Sequence, residues 1–74
     1  RDAALHIARP SAGRSITVPD APFVHVFLAR GDATMDGVDL RQGDAVRLTG
    51  GGSPRITTTA PSEILIWEMH SAAR

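Results

Sequence analysis

Seventy-four residues without a single cysteine make one domain at most, near the size where one apolar core barely suffices, and exclude disulfides or thiolate metal sites as reinforcement. Eight arginines and no lysine balance eight acids to a formal charge of zero. The arginines are scattered singly among acids and apolar residues, which argues against a nucleic-acid surface.

No apolar run approaches the length that spans a bilayer, and the N-terminus has no signal-peptide pattern. A cytoplasmic protein with neither membrane nor nucleic-acid partners is therefore expected. Asparagine is absent, so there is no glycosylation sequon. The opening Arg1-Asp2-Ala3-Ala4-Leu5 has no initiator Met, and alternation begins almost at once. Residues 1–74 read as a single domain taken from a longer chain.

The dominant period is two, the period of strands. Leu5-His6-Ile7-Ala8-Arg9 alternates, Pro10-Ser11-Ala12-Gly13 interrupts, and Ser15-Ile16-Thr17-Val18 resumes. After the break Pro19-Asp20-Ala21-Pro22 comes the longest apolar segment, Phe23 to Arg30, rich in β-branched and aromatic residues and expected to be a central strand. Asp36-Gly37 between Ala33-Thr34-Met35 and Val38-Asp39-Leu40 is a two-residue hairpin signal, with Gly37 supplying positive φ. Gln42-Gly43-Asp44 leads into Ala45 to Thr49. Gly50-Gly51-Gly52-Ser53-Pro54 reads as a mobile connection, lacking the lysine and following helix of a phosphate loop. Arg55 to Thr59 and Glu63 to Met69 follow, split by Ala60-Pro61-Ser62. Seven or eight short strands and no good helix predict an all-β antiparallel sandwich or small barrel. Only the Ala/Arg-rich ends have any helical character, and they are too short to rely on.

The run Leu28-Ala29-Arg30-Gly31, the hairpin around Asp36-Gly37 and the turn Gly43-Asp44-Ala45-Val46 resemble the centre of a cupin, a jelly-roll-like barrel. Gly31, Gly37 and Gly43 stand where the sheet must turn sharply. Glu63 to Met69 resembles the closing strand of the C-terminal cupin in pirin-like two-domain proteins, and the opening stretch with Gly13 and Thr17 fits the start of the same domain. The resemblance implies a missing N-terminal cupin that carries the metal, usually iron. It also implies a parent with quercetin dioxygenase activity or a role as a transcriptional cofactor.

Metal-binding cupins place two histidines and a glutamate before the glycine that Gly31 matches. Counting back, the glutamate position falls on Val24. The histidine positions fall on Val18 and Asp20, or on Thr17 and Pro19 with the longer spacing. Counting on from Gly43, the motif proline falls on Thr49, its glycine on Gly51 and the last histidine on Pro54. One oxygen ligand at most remains, where a divalent metal needs three or four donors. No cofactor and no catalytic residue are expected in this chain, and iron or another divalent metal only in the missing cupin.

His6, His25 and His70 fall on three different predicted strands. An atypical metal site would have to draw on His25, Glu68 and His70, with Glu68 and His70 sharing a strand face; a solvated strand end is the simpler reading. Asp32-x-Thr34-x-Asp36-Gly37 misses a calcium loop, because the twelfth position is Gly43 instead of a bidentate Glu. No serine has a nucleophile elbow. Trp67 lies inside an apolar strand, as a core or interface anchor does.

Along the long strand, Val24, Val26 and Leu28 are expected inward with Val46 and Leu48, a set without the polar groups a ligand cavity needs. That favours a domain supporting a metal-bearing cupin over a stand-alone, metal-free cupin binding a small molecule. Phe23, His25, Phe27 and Ala29 then face outward, where water requires polar residues. Phe23, His25 and Phe27 are expected at an interface, with the N-terminal cupin or with a second copy of the chain in an oligomer.

Overall fold

A computed structural model describes residues 3–50 and 52–69. Eight strands make up its regular structure: β1 (Ala3–Ala8), β2 (Ser15–Thr17), β3 (Phe23–Arg30), β4 (Asp32–Met35), β5 (Val38–Arg41), β6 (Ala45–Thr49), β7 (Arg55–Thr58) and β8 (Glu63–Met69). They form two antiparallel four-stranded sheets, ordered β1-β8-β3-β6 and β2-β7-β4-β5. There is no helix among the described residues. Ala3 and Ala4, at the Ala/Arg-rich beginning, lie in β1 instead. The other Ala/Arg-rich end, residues 70–74, lies outside the described residues.

The sheets close on one apolar layer. The inward set of β3, Val24, Val26 and Leu28, is 1–2% exposed. It packs with Ile64 and Ile66 of β8 and, from the opposite sheet, with Ala33, Met35, Leu40 and Ile56; Val46 and Leu48 are partly buried against this cluster. Branched aliphatic side chains standing on alternate positions fill this space with almost no polar atoms to satisfy.

One buried polar group stands out. Thr58 is 1% exposed. Its hydroxyl donates to the Ser11 carbonyl at 2.6 Å and accepts from the Arg14 amide at 3.1 Å. With Gly13 N–H donating to Thr58 O and Thr58 N–H to Arg14 O, this pins the β1–β2 connection onto β7.

Some turns reverse the chain within a sheet and others carry it between sheets. Asp36 and Gly37 have φ of +52° and +80°, the pair of positive values that a type I′ hairpin requires, and Met35 faces Val38 across it. Gly31, at φ +94°, joins β3 in one sheet to β4 in the other. A Cβ there would fall 2.5 Å from the Pro61 carbonyl oxygen and 2.8 Å from Ser62 Cα. Gly43, at φ +92°, donates its N–H to Leu28 O at 2.7 Å, while Leu28 N–H donates to Asp44 O. The glycine-rich segment is tied rather than loose in its described part. Gly50 N–H donates to Pro22 O, Gly52 N–H to the Asp20 carboxylate, and Val18 N–H to Pro54 O. The sequence showed the glycines but not these distant acceptors.

Candidate functional site

Two of the positions where a metal-binding cupin keeps its ligands are filled by buried valines. Val18 is 0% and Val24 2% exposed, both in the apolar core. Neither has a lone pair to offer a cation. Asp20 does, but its carboxylate accepts the Gly52 amide at 2.9 Å. With the longer spacing the positions fall on Thr17, exposed at the end of β2, and Pro19. The last ligand position is Pro54, whose carbonyl holds the Val18 amide. These residues do not fit a divalent metal.

The atypical trio does not assemble either. Across β3 and β8 the paired residues are Val24 with Glu68 and His25 with Trp67. Paired residues share a face and neighbours along a strand alternate, so His25 and Glu68 stand on opposite faces of the sheet. His25 meets the Trp67 ring edge-on, centroids 5.8 Å apart at 71°. Glu68 instead accepts a hydrogen bond from His6 Nε2–H at 2.8 Å. His70, the third candidate, lies outside the described residues. The His6–Glu68 pair escapes sequence reading because 62 positions separate its members; only the β1–β8 register brings them together.

What the structure does bring together is an apolar surface. On the outer face of β1-β8-β3-β6, three rows run across the sheet in register. Ala3, Met69, Phe23 and Thr49 form the first; Leu5, Trp67, His25 and Arg47 the second; Ile7, Leu65, Phe27 and Ala45 the third. Phe23, His25 and Phe27, the residues expected at an interface, occupy the middle strand of this field. All three are half-buried, as are Leu65, Trp67 and Met69. On the edge strand Leu5 and Ile7 are 48% and 51% exposed. The sequence offered one signal for this breadth: Ile64-Leu65-Ile66-Trp67 is apolar without alternation, as in a strand covered on both faces.

A polar margin follows at one end. Arg9 and Glu63 pair at 3.4 Å, and Arg30 is brought opposite Glu63 by a register shift after Leu28. With Pro10, Pro61 and Ser62 they line a shallow cleft. Arg47 sits on the second row at the β6 edge. An apolar centre with a charged border is the anatomy of a protein–protein contact.

Comparison with known proteins agrees with this architecture. A solved structure of a Ralstonia eutropha protein of unknown function with a cupin-like fold superposes with a TM-score of 0.74 at 14% identity, covering 92% of this chain and 47% of that one. Proteins of Mycobacterium bovis and Mycobacterium tuberculosis, each named "Putative quercetin 2,3-dioxygenase", are 47% identical over 70 residues. The match takes in 93% of this chain but spans only 29% of the length of these curated relatives. Residues 1–69 match the family model described as the quercetinase C-terminal cupin domain. An eight-stranded cupin with core valines at two of its ligand positions, and with a sequence that matches that model nearly end to end, belongs to the quercetinase C-terminal cupin family.

Proposed function

We propose that this chain is the non-catalytic, metal-free cupin of a longer quercetinase-like protein, and that it supports a metal-bearing cupin in the remaining part. The observation that carries this reading is the burial of Val18 and Val24 at two ligand positions. A cavity built there would have neither donors nor polar groups to orient a substrate. The alternative of a small molecule held in the barrel meets the same obstacle, since among the described residues the buried side chains are apolar apart from Thr58 and Ser62, both hydrogen-bonded to backbone. Oxidation of a flavonol such as quercetin would then belong to the partner cupin, and this domain would act by holding it.

The test is metal content in two preparations. The full-length protein should retain about one divalent ion per chain after dialysis, while residues 1–74 alone should retain far less, given the three or four donors such an ion requires. About one tightly held ion on residues 1–74 would overturn the proposal.

A further inference from the structure

The apolar outer face of β1-β8-β3-β6 has a border of prevailing positive charge. Among the described residues its border carries Arg9, Arg30 and Arg47 against one carboxylate, that of Glu63. Arg9 and Glu63 answer one another. Arg30 and Arg47 are exposed and have no carboxylate partner among the described residues. They stand on different strands at different margins of the apolar rows.

Two copies packed face to face would bring an excess of guanidinium groups together around the apolar centre. Like charges opposed across an interface are costly and are a common device against the wrong partner. Unpaired arginines at a margin instead suit carboxylates on a partner, because the planar guanidinium binds a carboxylate through two parallel hydrogen bonds.

We infer that this face receives one occupant: an apolar surface bordered by Asp or Glu side chains on the remaining part of the same longer polypeptide, with Arg30 and Arg47 setting its orientation. The inference rests on the proposed role as a supporting cupin and adds the chemistry of the surface it supports. Two anchors at separate margins fix rotation as well as position, whereas the apolar rows alone would tolerate sliding.

The experiment uses the full-length protein and measures limited proteolysis between its two parts, alongside molar mass by light scattering. Arg30→Glu with Arg47→Glu should speed cleavage about tenfold, the scale of losing two oriented charge contacts. Arg30→Lys with Arg47→Lys keeps the charge but loses the paired hydrogen bonds, and should speed cleavage by about two- to threefold, less than the reversal does. Arg41→Glu, on the opposite sheet, should leave it unchanged. Phe27→Asp separates the two levels of the claim. If Phe27→Asp accelerates cleavage and the charge reversal does not, the acidic border is wrong while the docking stands. If neither accelerates it, the docking itself falls. A doubled molar mass that returns to a single chain with Phe27→Asp would make the occupant a second copy and overturn the inference.

Discussion

The two sheets of this domain use their outer faces in opposite ways. On β2-β7-β4-β5 the outward rows are Ser15, Thr57, Thr34 and Asp39, then Arg41 with Asp32, and Thr17 with Arg55. Every one is polar, and Ser15 and Thr57 hydrogen-bond hydroxyl to hydroxyl at 3.0 Å. This is the alternation of a sheet with one face in water. On β1-β8-β3-β6 the corresponding rows are aromatic and aliphatic, with Trp67 edge-on to His25 at the centre. The same short chain therefore writes a polar outer face on one sheet and an apolar outer face on the other, and on the proposed reading the difference lies in what each sheet meets.

The largest expected effect breaks the joint between the sheets. Gly31→Ala combines a positive φ with collision against Pro61 and Ser62 backbone, and should cost about 3 kcal/mol or more in chemical denaturation. Gly37→Ala has a similar φ but open space around it, so about 1 kcal/mol is expected there. Equal losses would mean that close approach at Gly31 is unimportant.

Next comes a contrast within one strand. Val26→Ala should cost about 2–3 kcal/mol through lost burial and a residual cavity. Phe27→Ala, one position along, should cost residues 1–74 less than about 1 kcal/mol, as substitutions away from a packed core do. A larger loss at Phe27 than at Val26 would invert the two faces.

Thr58→Val is expected to cost about 1–2 kcal/mol, because it leaves the Ser11 carbonyl and Arg14 amide without their partner. A neutral result would show that the β1–β2 connection is held by its backbone bonds alone. Smallest of all, Thr34→Val on the outer polar face should stay within about 0.5 kcal/mol.

How much of this was legible in the sequence depended on whether the signal was local. The period of two along Phe23–Arg30 separated Val24, Val26 and Leu28 from Phe23, His25 and Phe27 correctly, since strand parity needs no partner. Asp36-Gly37 announced its turn for the same reason. Pairing between distant strands could not be read. Leu5 and Ile7 look like core residues in a short alternating strand, yet the β1–β8 register sets them outward beside Trp67 and Leu65. His25 and Glu68 looked combinable until register put them on opposite faces. Thr58 reads as an ordinary surface threonine in a threonine run, and only the fold of the 11–14 connection over β7 buries it.

The measurement closest to the central claim is position-resolved oxidative labelling of the full-length protein. Met35, 6% exposed in the core, supplies the rate of a buried side chain. Trp67 and Met69 should label about as slowly as Met35, as side chains at the fully desolvated centre of an interface do. If Trp67 and Met69 label at the rate of freely exposed side chains, the outer face of β1-β8-β3-β6 is not covered, and the account of a docked, supporting cupin is contradicted.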